Sequence, residues 1–187
     1  MEVRRRAALA VSRAILLFDQ DAQLRDRLRH ALEAEGHRVE AVGDEKAAVR
    51  ALRARTYDLI IADLFSSGGR RVRQQLRLYP QRAPVLAITR GVPLQALVQA
   101  MTDVAWDFLR VGDPVRDWLG VVRRTFAYFD IEREWRALEI AGGALNAARY
   151  ERMRRRVDAA LADVATVKRE LDRRAPRRGL RKQKVSA

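Results

Sequence analysis

No cysteine occurs in the 187 residues, which excludes a disulfide framework and thiolate metal sites. Histidine is nearly as scarce: His30 and His37 are the only two, too few for a histidine-rich metal centre, and both are read as solvated surface residues. Only four of the 38 basic residues are lysine, an arginine dominance that a GC-rich genome also produces. No run approaches the ~18 apolar residues of a membrane span. Three arginines precede Ala7 to Val11 in the manner of a secretory leader, but that run is short and Arg13 interrupts it before Ala14 to Phe18. A cytoplasmic location is expected. A glycine-rich phosphate loop, a nucleophile elbow and a paired general acid and base are all missing, so the expectation is a protein that is not an enzyme.

What is present is a folded composition with an uneven charge. Hydrophobic residues make up 48% of the chain, and the net charge is +14. Residues 1–13 form a basic arm of net +3, residues 14–130 are also +3, and residues 131–187 are +8. The last stretch, 173–187, carries seven basic residues and no acid, which reads as a disordered basic tail able to touch a phosphate backbone or an anionic membrane face.

Strand and helix signals alternate over residues 14–130. Ala14 to Phe18, Arg38 to Val42, Leu59 to Ala62, Pro84 to Ile88 and Trp106 to Leu109 are short apolar runs. Between and after them lie helical stripes: Leu24, Leu28, Ala31 and Leu32; Ala47, Ala51 and Leu52; Val72 and Leu76; Leu94, Leu97, Val98 and Met101; Val115, Trp118, Leu119, Val122 and Phe126. Helix starts are marked by Asp44, Pro93 and Asp113-Pro114. Apolar strands joined by helices predict an α/β fold, a five-stranded parallel sheet covered on both faces. Carboxylates at the ends of its strands converge on one crevice, where they can hold a divalent cation or attack phosphorus. Asp63 ends the third run and Asp19 the first.

The segments ILLFDQD, YDLIIADL, APVLAIT and AMTDVAWDFL, in this order and spacing, resemble a bacterial response-regulator receiver domain of the chemotaxis-regulator type. The resemblance covers about 115 residues and implies a doubly wound, flavodoxin-like sheet of strand order 2-1-3-4-5. It places Asp63 on the phosphoacceptor position, Asp19 on the first residue of the metal-binding acidic pair, and Thr89 and Phe108 on the switch positions. Two departures stand out. Gln20 replaces the second acidic ligand, and Val111 takes the place of the lysine that contacts the phosphoryl group. Asp21 replaces Gln20 only if the turn slips by one residue, while Arg90 or Arg110 are the cations available in place of the lysine, although Arg110 is expected to alternate to the strand face opposite Val111. An amide oxygen is a poorer Mg2+ ligand than a carboxylate, so Mg2+ binding through Asp19 and Asp63 is expected to be weak and phosphorylation slow or absent.

Residues 131–172 contain no proline and favour helix. Tyr150, Met153, Val157, Ala160, Val164, Val167 and Leu171 recur at a/d spacing, a seam for another helix on this chain, on a second copy or on a partner protein. Ile131, Trp135 and Leu138 form an earlier stripe, with Trp135 the candidate docking anchor. Gly142-Gly143 lies between the two and costs about 2 kcal/mol in a helix interior, so a bend, break or hairpin is expected there. Trp106 and Trp118 read as core or interface groups.

The combination suggests an atypical receiver in two-component signalling. It would act as a protein-interaction and dimerisation adaptor for a sensor kinase or another signalling protein, as a homodimer. The alternative is a nucleic-acid-binding regulator, either antiterminator-like toward RNA or DNA-binding, that uses its basic C-terminal extension.

Overall fold

The computed structural model describes residues 11–78 and 83–140, with Arg152 and Arg155 besides. Among the described residues five strands alternate with five helices: β1 (Ala14–Phe18), α1 (Ala22–Ala34), β2 (Arg38–Val42), α2 (Glu45–Ala54), β3 (Leu59–Ala62), α3 (Gly69–Leu78), β4 (Val85–Thr89), α4 (Leu94–Asp103), β5 (Asp107–Arg110) and α5 (Val115–Ile140). All pairings are parallel, in the order β2-β1-β3-β4-β5. This is the expected doubly wound sheet, followed by a long helical extension. The chain divides into two compact units at Phe126 and Ala127.

Strand periodicity sorts the core into two layers. Alternate side chains of a strand point to opposite faces. Leu16, Phe18, Ile60, Ala62, Val85 and Ala87 therefore meet α2, α3 and α4 through residues such as Ala48, Leu52, Val72 and Ala100. Ile15, Leu17, Leu59, Ile61, Leu86, Ile88 and Leu109 meet α1 and α5 through Leu28, Leu32, Trp118, Val122 and Phe126. Trp118 is a core residue whose indole N–H donates to the Arg110 carbonyl at 3.1 Å. Asp21 and Asp44 cap α1 and α2 by accepting from the first free amides, Gln23 and Leu24 in one case and Ala47 in the other.

The fourth helix departs from its predicted stripe. Val98 and Met101 are 56% and 55% exposed, whereas Ala100 is fully buried, with Ala96 and Leu97 half-buried beside it. The buried face is rotated by about one residue because a small side chain, not a large one, approaches the sheet. Trp106 is 41% exposed.

His37 is buried, not solvated as its sequence context suggested. Gly36, at φ +90°, reverses the chain after α1 in a conformation that L-residues rarely adopt. The imidazole then lies 5.3 Å from the Phe126 ring, which Arg13 covers on a cation–π contact at 5.5 Å. Its Nδ1 has no hydrogen-bond partner. Burial depresses the His37 pKa, while Glu35 and Asp58 oppose the shift and Arg13 adds to it. The unfolded chain takes up the proton first, so this contribution to stability is complete above the ordinary histidine value of about 6.5 and is lost as pH falls below it. Thermal melts from pH 7.5 to 5 should show this decline, and His37→Leu should flatten it. An unchanged slope would refute the assignment.

Candidate functional site

A cleft of about 390 Å3 opens at the C-terminal edge of the sheet, lined by Asp19, Gln20, Asp21, Asp63, Phe65, Ser66, Arg90 and Val92. Parallel strands put every β–α connection at this edge, so residues distant in sequence converge there. Asp19 follows β1, Asp63 follows β3 and Arg90 follows β4.

The Arg90 guanidinium joins the two carboxylates. Its Nη2 donates to both oxygens of Asp19 at 2.7 Å, and its Nη1 donates to Asp63 Oδ2. The remaining oxygen, Asp63 Oδ1, accepts from the backbone amides of Phe65 and Ser66, each at 3.1 Å. Asp19 Oδ1 also accepts from the Asp21 amide at 2.8 Å. All four carboxylate oxygens are thus engaged by the protein. The Asp19 side chain is fully buried, that of Asp63 is 9% exposed, and that of Arg90 is 35% exposed.

The loop after Asp63 is built tightly against it. Ser66 Oγ donates to the Asp63 carbonyl at 3.2 Å and accepts from the Gly69 amide at 3.1 Å. A Cβ on Gly69 would overlap the backbone of Asp63 and Leu64, so the first residue of α3 has to be glycine. At Gly68 a Cβ would meet Gln20 Nε2 at 3.2 Å and the Glu45 side chain, which places the Gln20 amide against this loop.

The remaining expected positions distribute as follows. Thr89 ends β4 at the same edge and is buried, with its carbonyl accepting from the Val111 amide at 2.9 Å. Thr89 and Val111 are not among the cleft's lining residues. Phe108 sits in β5 opposite Ala87, half-buried against the α2–α4 layer. Arg110 donates to Asp113 at 2.7 Å and is exposed, so of the two arginines considered as replacement cations only Arg90 enters the cleft. Asp21 commits Oδ1 to the α1 cap and the turn does not slip. Trp135 lies on α5, 41% exposed. Tyr150, Met153, Val157, Val164 and Leu171, and the break at Gly142-Gly143, fall outside the described residues. Phe65, Ser66 and Val92 line the cleft without having been singled out in the sequence; for Ser66, a hydroxyl three residues after a strand-end aspartate was the readable sign.

A resident divalent cation does not fit this arrangement. Mg2+ requires near-octahedral oxygen ligation, and the carboxylate oxygens it would take already face a guanidinium or backbone amides. No group of three metal-ligating side chains occurs among the described residues.

Residues 15–110 match the response regulator receiver domain. The chain belongs to that family. The receiver domain is a non-catalytic signalling module of two-component systems. The chain is 30% identical over 129 residues to the C4-dicarboxylate transport transcriptional regulatory protein DctD of Pseudomonas aeruginosa, covering 68% of this chain but 28% of that protein. Among solved structures it resembles NtrX from Brucella abortus, with a TM-score of 0.66 and 22% identity over 73% of this chain and 32% of that one. It also resembles the receiver domain of sensor histidine kinase PA1611 from Pseudomonas aeruginosa PAO1, with a TM-score of 0.53 and 22% identity over 62% of this chain and 98% of that one. At these identities the solved structures speak for the fold. No helix among the described residues is long and apolar enough to cross a membrane.

Burial raises the Asp19 pKa above 3.8, and the hydrogen bonds and charge of Arg90 offset this only in part. A raised carboxyl pKa means that the contribution is full below the unfolded value and is lost as pH rises through the folded one. Asp19→Asn is therefore expected to melt higher than the parent at pH 7, with the gain closing as pH falls below 4; a lower melting point at pH 7 would contradict this. Gly69→Ala should cost roughly 1–3 kcal/mol in urea unfolding through overpacking, whereas a neutral result would show that the loop yields freely.

Proposed function

We propose that the protein is an atypical receiver serving as a protein-interaction and dimerisation adaptor in two-component signalling. Asp63 holds the phosphoacceptor position, and its modification is slow or absent. The observation that carries this reading is the bridge from Arg90 to Asp19 and Asp63. A nucleophilic carboxylate needs a free oxygen and a cation placed to neutralise the incoming phosphoryl group. Here the oxygens of Asp63 are occupied, and Val111 offers no ammonium group. The receiver domain of PA1611 has a magnesium ion coordinated in its cleft; in this chain any Mg2+ affinity of Asp19 and Asp63 is at most weak, because Arg90 holds their oxygens and Gln20 is a poor third ligand.

The signal would then pass through surfaces. Val98, Met101 and Trp106 are exposed apolar side chains on α4 and just before β5, a composition suited to a protein partner such as a sensor kinase. In the extension, residues 131–172, Trp135 and the seam of Tyr150, Met153, Val157, Val164 and Leu171 supply a helical face for homodimerisation. Residues 1–13 and 173–187 are basic arms outside the receiver, residues 14–130, in a cytoplasmic protein.

The basic tail favours a second reading, a transcriptional regulator that touches RNA or DNA; DctD is itself described as a transcriptional regulatory protein. Steeply salt-dependent nucleic-acid binding that disappears on deletion of residues 173–187 would put this reading first.

Incubation with a small-molecule phosphodonor and Mg2+, followed by intact mass and light scattering, tests the adaptor reading. The expected result is a substoichiometric phosphoryl adduct and a dimer mass that ignores the donor. Rapid stoichiometric modification of Asp63, or a donor-dependent change of oligomer, would overturn it.

A further inference from the structure

We propose that Arg90 is the cleft's built-in cation, standing where a receiver would otherwise admit a divalent metal, and that it makes the site indifferent to Mg2+. This deepens the receiver reading above and rests on it for the identity of the cleft, but it concerns a different property, the ligand selectivity that one side chain imposes.

Charge is the starting point. Asp19 and Asp63 lie at the ends of adjacent strands, one with its side chain fully buried and the other nearly so. Two carboxylates this close and this dry need a cation, because desolvation and mutual repulsion both act against them. Arg90 supplies it from β4, the strand on the other side of β3. A guanidinium is planar, permanently charged and forked, so one group reaches two carboxylates at once. Nη2 spans both oxygens of Asp19, and Nη1 takes the Asp63 oxygen that the backbone leaves open.

Occupancy then decides selectivity. A divalent ion would need the same oxygens at about 2.0–2.1 Å and would stand beside a fixed positive charge. Binding it requires expulsion of Arg90, and Gln20, whose amide lies against Gly68, adds no carboxylate to offset that loss. The tether also acts on the backbone. Arg90 opens the β4–α4 connection, and Gly91 follows at φ +64°, a left-handed conformation that L-residues rarely adopt, before Val92 returns to the cleft wall. The start of this connection is thereby fastened to the ends of β1 and β3 by bonds internal to the chain, with no dependence on an exchangeable ion.

Thermal melts of the full chain in MgCl2, matched in ionic strength with KCl, provide the test. The wild-type midpoint is expected to stay within about 1 °C up to roughly 10 mM Mg2+. Arg90→Ala should melt lower than wild type and recover several degrees as Mg2+ is raised, in a saturable manner. Asp19→Asn/Arg90→Ala, with one carboxylate removed, should lose that recovery. A saturable rise in the wild type, or a folded Arg90→Ala that ignores Mg2+, overturns the inference. If Arg90→Ala is unfolded at every Mg2+ concentration, Arg90→Lys decides: its single ammonium cannot bridge both carboxylates in the same way, so it must gain a Mg2+ response, and its failure to do so is equally fatal. The outcomes separate from those of the adaptor reading. Mg2+ binding by the wild type without Asp63 modification sinks only this inference, whereas rapid modification of Asp63 in a protein whose melting ignores Mg2+ sinks only the other.

Discussion

Two buried carboxylates at the edge of a parallel sheet repel each other and resist desolvation, and the Arg90 guanidinium neutralises them from within the chain. Asp19 is fully withdrawn from solvent and Asp63 nearly so. Isolated, each would cost several kcal/mol to bury in its charged form. One forked cation reaching both, with backbone amides of Asp21, Phe65 and Ser66 on the same oxygens, makes their coexistence tolerable. The residual upward shift at Asp19 shows that the compensation is incomplete. Incomplete compensation is common where a fold keeps charges for reasons other than stability.

The bridge depends on the sheet beneath it. Asp19, Asp63 and Arg90 are 27 to 71 positions apart in the chain. They meet because β1, β3 and β4 are adjacent, parallel and in register, so their C-terminal ends share one edge. Strand alternation fills both faces with apolar side chains, and this rigid support leaves the loops as the place where chemistry varies. The tight approach of Gly69 to Asp63 and the turn at Gly91 are the local backbone conditions that let the loops close around the carboxylates.

Much of this is legible from residues alone. The alternation of apolar runs and helical stripes marks all five strands to within a residue, and Asp44, marked as a helix start, caps α2. Where periodicity fails, it fails for packing reasons. On α4 the large residues Val98 and Met101 look like a core stripe, yet Ala100 takes the sheet side, because an apolar stripe records which residues cluster along a helix and not which face a neighbour covers. His37 looks like a surface residue until a left-handed glycine turns it beneath Phe126.

Composition, periodicity and the strand-end aspartates by themselves determined the fold class, and the family resemblance the strand order. These are properties of local pattern, set by the geometry of a single helix or strand. Strand alternation already sets Arg110 on the face opposite Val111, but local pattern does not bring Arg90 to the carboxylates, and only the tertiary structure decided that it answers them. Arg110 turns to Asp113 within its own loop, whereas Arg90 reaches across to strands far away in sequence. The strength of an ion pair depends on distance and on the exclusion of water, and neither quantity exists until distant segments have been brought together.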